Sequence, residues 1–155
     1  MKPVVPLLGA MIALAGPANA LPPAQLFAQR CAMCHQATGA GLPGQFPRIA
    51  GRAASIAQSP AGRHYLALVL LNGMVGTISA DGRSVSGLMP SMAALPDGDI
   101  AAILTHVLTL GTPAKGKKPA AFTAAEIAAV RKEGGLSATA VGSERAKLAA
   151  KGLLP

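Results

Sequence analysis

The chain has 155 residues and a formal net charge of +8, and 51% of it is apolar, yet it contains one Tyr, three Phe and no Trp. Its length suits one domain with additions, but it is poor in the large residues that usually fill a core. Aromatic and basic residues do not interleave along it, which speaks against nucleic acid as a partner despite the charge.

Residues 1–20 carry Lys2, an apolar stretch from Val4 to Ala15 and the small-residue end Ala18-Asn19-Ala20. This reads as an export signal cleaved after Ala20. A retained membrane anchor is the rival reading, but Pro6 and Pro17 interrupt the segment, which is short for a span of roughly 20 residues. Cleavage removes 20 of the 155 residues and leaves 135. It implies a bacterial periplasmic protein with no stable membrane insertion.

A first helix is expected from about Ala24 to Cys31, and it runs into Cys31-Ala32-Met33-Cys34-His35. That run uses both cysteines of the chain and is the C-x-x-C-H pattern of covalent haem attachment. The chemistry requires its parts. Each thiol adds across a haem vinyl group, the two intervening residues let one helical turn present both sulfurs to one porphyrin edge, and the adjacent imidazole reaches the iron. A redox C-x-x-C pair lacks its strand-helix-strand context here, and half a zinc site lacks further ligands at short spacing. A disulfide is the alternative use of the pair outside the cytoplasm. Haem buried in the middle would make up the deficit of large side chains and bury enough apolar surface to hold the chain together.

The Gly- and Pro-rich segment from Thr38 to Gly51 reads as an extended loop. Ser59-Pro60, a cap followed by a first-turn proline, opens a second helix from about Pro60 to Leu71, stopped at Asn72-Gly73. Residues Thr77 to Val85 alternate around Asp81-Gly82 and predict a β-hairpin. A third helix is expected from Asp97 to Gly111, with Ile100, Ile103, Leu104 and Val107 at helical spacing and Asp97 and Asp99 at its positive end. Gly111 to Lys118 reads as a linker. Thr123 and Glu126 form a capping box for a short helix ending near Lys132, and a last amphipathic piece spans about Ser143 to Lys151.

An electron carrier needs a second ligand on the haem face opposite His35. Met89 is the candidate: a thioether binds ferrous iron well and raises the reduction potential, and Pro90 stiffens the backbone beside it. Packing in the core is the ordinary fate of such a residue. Met92 and Met74 are its rivals, followed by His64, His106 or an open site. His64 reads as solvent-facing and His106 as a helix contact.

These residues resemble the class I cytochromes c, small His/Met-ligated carriers of one haem. The likeness covers about residues 24–110 and rests on Cys31-Ala32-Met33-Cys34-His35, Phe46-Pro47-Arg48-Ile49-Ala50-Gly51 and Gly87-Leu88-Met89-Pro90. It implies an all-α fold of three to four helices around one covalent haem c with its iron, with the hairpin and a short helical extension added. It implies that Cys31 and Cys34 anchor the haem, that His35 and Met89 bind the metal, and that the carbonyl of Pro47 accepts the Nδ1 proton of His35. Phe27 matches the aromatic with which the family's first helix meets its last. Pro23 departs from the small residue often found at that crossing, and His106 stands where an aromatic is commoner. With no Trp for the haem propionates, Arg48, Arg52, Tyr65 or backbone amides are left for that task. The hairpin and the tail from Phe122 are similar to a subgroup of periplasmic cytochromes that accept electrons from dehydrogenases and other oxidoreductases.

The implied organisation is a signal at 1–20, a haem domain at 21–111 and a basic extension at 112–155. Residues 21–110 hold five Arg against three Asp, +2, and residues 111–155 hold eight Lys or Arg against three Glu, +5. The tail is therefore either a docking element for acidic redox partners or a solvated cover. The expected activity is transfer of single electrons between a dehydrogenase, reductase or oxidase and the respiratory chain, without catalysis. The alternatives are a haem enzyme or gas-binding protein with a vacant axial site, and a fixed relay subunit of a larger oxidoreductase.

Overall fold

A computed structural model describes residues 21–114 and 116–155; the expected export signal lies outside them. Among the described residues the order is α1 (Pro23–Arg30), α2 (Ala32–His35), α3 (Arg52–Ile56), α4 (Pro60–Asn72), β1 (Met74–Ala80), β2 (Arg83–Met89), α5 (Asp97–Val107), α6 (Ala124–Lys132) and α7 (Ala138–Ala150). The architecture is mostly helical, as expected. The helix count before the extension is a correction: among the described residues there are five instead of three to four, because the haem-motif turn and residues 52–56 are helical, and the expected helical extension supplies two more.

Helix α4 forms where its signals predict. Ser59 Oγ accepts from the Gly62 N–H at 3.0 Å, Pro60 occupies the first turn, and Tyr65 to Leu71 are all buried. A helix apolar on every side belongs in the middle of a core. The hairpin turns at Asp81 and Gly82, both at positive φ, 54° and 71°, which is the backbone an Asp-Gly pair favours between twisted strands.

The strands run well past the predicted 77–85. Their register continues from Ala80↔Arg83 to Met74↔Met89, so Met89 ends strand β2. Beyond it the chain is tied to α4 by Met92 N–H to Leu70 O at 2.7 Å and Ser91 Oγ to Leu71 O at 2.6 Å. Gly73, at φ +71°, makes that approach possible, because a Cβ there would collide with the carbonyl oxygen of Met89.

Helix α5 stops at Val107, short of the expected Gly111. Thr109 Oγ1 caps the His106 carbonyl at 2.7 Å, and the Leu110 carbonyl is taken by Gly51 N–H at 2.7 Å, so these groups leave the helical ladder. Helix α1 crosses α5 through Phe27, whose ring centroid lies 5.2 Å from that of His106 at a 50° tilt.

Phe122, Ile127, Val130, Val141 and Leu148 of the extension are buried in the same core as α4 and α5. The capping box is only half formed. Thr123 Oγ1 accepts from Glu126 N–H at 3.2 Å, but the Glu126 carboxylate turns to the guanidinium of Arg63, with two contacts of 2.8 Å. A charged fork outcompetes a neutral amide for that carboxylate. Helix α7 starts at Ala138, five residues before the predicted Ser143, because Ser137 caps it through Ala140 N–H at 3.1 Å.

Candidate haem site

The site begins with one turn of helix. The N–H groups of Cys34 and His35 both bond the Cys31 carbonyl, at 3.2 and 2.9 Å, so two thiols and an imidazole share that turn. Both cysteines are unpaired and half-buried. Burial, and then the neighbouring Cys34, push the Cys31 thiol up to about 11. A thiol held protonated is the opposite of the activated thiolate of a redox C-x-x-C pair.

His35 is buried and lines a cavity. Its Nδ1 lies 3.0 Å from the Pro47 carbonyl oxygen; a carbonyl only accepts, so Nδ1 carries the proton and Nε2 keeps its lone pair. Burial lowers the imidazole's basicity, the bond to Pro47 opposing it, and a neutral ring is the metal-binding form. Pro47 is held at that distance by a tight loop in which Gly41 N–H bonds His35 O at 3.0 Å and Leu42 bridges Phe46. Gly41 sits at φ +67°, and a Cβ on it would stand 2.7 Å from the Pro47 oxygen and closer still to that of Phe46.

The cavity has an empty volume of about 780 Å³, counting its open mouth. Its walls are apolar, with Phe27, Leu66, Val69, Ile103 and Leu104 among them. Cys31, His35, Pro47 and Met89 all line it; Cys34 does not, but shares the turn of Cys31. Met74 lines it as well, and its Sδ accepts a hydrogen bond from the Tyr65 hydroxyl at 3.5 Å. Met92, His64 and His106 lie elsewhere. His64 pairs with Glu133 at 2.7 Å and His106 stacks on Phe27.

One edge of the cavity is cationic. Arg48 holds Asp81 through two bonds of 2.9 Å, and Arg52, whose side chain is 7% exposed, adds a third at 2.9 Å. The hydrogen bond from Arg48, with Arg52 beside it, draws the Asp81 carboxyl down to about 2. Arg145 of α7 also lines the cavity, and its guanidinium donates to Ser79 O at 2.6 Å. Burial raises the Tyr65 hydroxyl while the charges of Arg145 and Arg52 pull it back, so these groups are close neighbours. Three guanidiniums line the cavity, two of them share the Asp81 carboxylate, and the surplus positive charge suits an anionic cofactor edge. Sequence reasoning named Arg48, Arg52 and Tyr65 but missed Arg145, whose only local signal is a basic residue on an amphipathic helix.

This donor set fits haem: an apolar slot, two thiols on one turn, an imidazole with a free Nε2, thioether sulfurs in the wall, and cations at one edge. Among the described residues no cluster of three or more His, Cys, Asp and Glu forms another metal site, and no helix is long and apolar enough to cross a membrane.

Comparison with known proteins agrees. The sequence model of the Cytochrome c family matches residues 23–111. Cytochrome c-552 of Thermus thermophilus is 45% identical over 131 residues, 83% of this chain and 97% of that protein. Cytochrome c-552 of a second Thermus thermophilus strain is likewise 45% identical, over 83% of this chain and 86% of its own length. Members of the family are generally electron carriers rather than enzymes. This chain belongs to the cytochrome c family, and the group it carries is haem c, covalently bound with its iron.

Proposed function

We propose that the chain is an exported, periplasmic one-electron carrier working between a dehydrogenase or other oxidoreductase and the respiratory chain. Haem c would supply the one-electron redox chemistry. Cys31 and Cys34 would hold it by thioether bonds, and His35 Nε2 and Met89 Sδ would bind its iron. The observation that carries this reading is the meeting of His35, its Pro47 partner and Met89 on one apolar cavity. Met89 is preferred to Met74 because the sulfur of Met74 is already engaged by Tyr65. Arg52 and Arg145 are the proposed partners of the propionates.

Each ligand is fixed before any electron arrives. The Pro47 bond fixes the plane of the imidazole, and the ties of Ser91 and Met92 to α4 fix the end of the methionine strand. Little has to move when the charge on the metal changes, and transfer is correspondingly fast.

Haem that stays with the polypeptide in acidified organic solvent, and a low-spin ferric spectrum with a methionine-to-iron charge-transfer band, are the expected results. Free haem in the extract, or a high-spin spectrum, would refute the assignment. A mature N-terminus at Leu21, read by sequencing protein from its native host, tests the export reading.

Acidic redox partners are expected to meet the lysines of the extension. Lys117, Lys118, Lys132 and Lys151 are exposed and, among the described residues, have no ion-pair partner. Because the extension shares the core, deleting it would damage the haem site. Neutralising these four lysines is the cleaner test, and a docking role predicts slower, less salt-sensitive transfer.

A further inference from the structure

We propose that Met74 is a reserve ligand: a second thioether, held beside the haem cavity by Tyr65, that would bind the iron when Met89 is lost. This rests on the His35 and Met89 ligation proposed above. The hairpin register sets the two methionines directly opposite each other, Met74↔Met89. Opposed residues of an antiparallel pair have Cβ atoms about 4.5–5.5 Å apart, a gap that an unbranched side chain with three rotatable bonds can span. Both are half-buried against the core, and both line the cavity that holds His35.

One contact tells them apart. The Tyr65 hydroxyl donates to Met74 Sδ at 3.5 Å, whereas no donor among the described residues reaches the sulfur of Met89. A lone pair shared with a hydroxyl is a poorer donor to a metal, so Tyr65 biases the choice towards Met89. The phenol is itself buried and fixed. A bond to a thioether is weak, so it parks Met74 without locking it. Met92, the remaining methionine of this stretch, lies outside the cavity and is anchored to Leu70. The exchange balances simply: one sulfur lone pair replaces another on the iron, the Tyr65 proton stays on its oxygen, and no electron is gained or lost.

Holo-protein carrying Met89→Ala, or Met89→Leu to preserve packing, should keep a methionine-to-iron charge-transfer band, shifted in position and with an altered midpoint. Adding Met74→Leu should abolish the band, and adding Tyr65→Phe should strengthen it. Tyr65→Phe alone, which leaves both methionines intact, should give a second ring-current-shifted methionine methyl signal in the reduced protein. Loss of the band in both Met89 variants, together with a single methyl signal in Tyr65→Phe, would overturn the proposal. A wild-type spectrum and midpoint in Met89→Ala, combined with loss of the band in Met74→Leu alone, would instead overturn the ligand assignment on which it rests.

Discussion

His35 donates its Nδ1 proton to the carbonyl oxygen of Pro47 at 3.0 Å, and the loop that sets this distance closes only because residue 41 is glycine. Replacing Gly41 by alanine places a Cβ 2.7 Å from that oxygen at a φ of +67°. The left-handed backbone alone costs a non-glycine residue about 1–2 kcal/mol, and relieving the collision must move Pro47 away from the imidazole. Denaturant unfolding of the holo-protein is expected to show at least that loss, with a shifted midpoint potential. A wild-type unfolding curve would contradict the role given to the loop.

Asp81 pins the hairpin tip to Arg48 and Arg52. Its carboxyl is lowered from an ordinary 3.8 to about 2, first by the Arg48 hydrogen bond. A depressed folded-state pKa contributes stability that is fully present above about pH 4 and is lost as the pH falls through about 2. At a carboxylate 37% exposed, solvent screening reduces this to about 1 kcal/mol. Melting temperatures of wild type and Asp81→Asn should differ at pH 6 and converge towards pH 2; a constant difference would place the effect elsewhere.

Arg145 is the cation that α7 brings to the cavity. Losing its bond to Ser79 should cost about 1 kcal/mol of stability. Losing a positive charge near the iron should lower the midpoint potential, because that charge disfavours the ferric state. Arg145→Gln is expected to show both effects, Arg145→Lys mainly the loss of the fork geometry. Lys147→Gln, on the same helix but exposed and paired with Glu144, should leave the potential unchanged. Equal shifts in the Gln variants would reduce the role of Arg145 to long-range charge.

Arg63 clamps the extension to α4. It holds Glu126 with two bonds of 2.8 Å, reaches the carbonyls of Ala120 and Ala121, and lies 3.9 Å over the ring of Phe122. Half-buried bidentate pairing and a cation over an aromatic face together predict a loss of about 2–3 kcal/mol for Arg63→Ala. Chemical denaturation monitored at the haem and by circular dichroism should show one destabilised transition if the extension and the haem body unfold together.

Sequence alone settled whatever is encoded within a few residues. Cys31, Cys34 and His35 carry their chemistry in one helical turn, Ser59-Pro60 and Thr123 mark helix starts by capping, and Asp81-Gly82 fixes the hairpin turn by its backbone preference. The family resemblance pointed to Pro47, whose carbonyl oxygen lies 3.0 Å from His35 Nδ1. Expectations slipped where ends are set by remote partners: α5 ends at Val107 because Gly51 takes the Leu110 carbonyl, and the strands reach Met89 because α4 receives the chain beyond it.

Only the tertiary structure decided where the extension packs. Residues 112–155 read from sequence as a basic linker and short helical extension, either a docking element or a solvated cover; in the structure Ile127 and Val141 are fully buried in the common core and Arg145 stands beside Tyr65 at the cavity. Neither fact has a local signature, because a basic residue on an amphipathic helix reads the same whether it faces water or a cofactor. Tyr65 and Arg145 are far apart in the chain, and the burial of apolar helix faces brings them together.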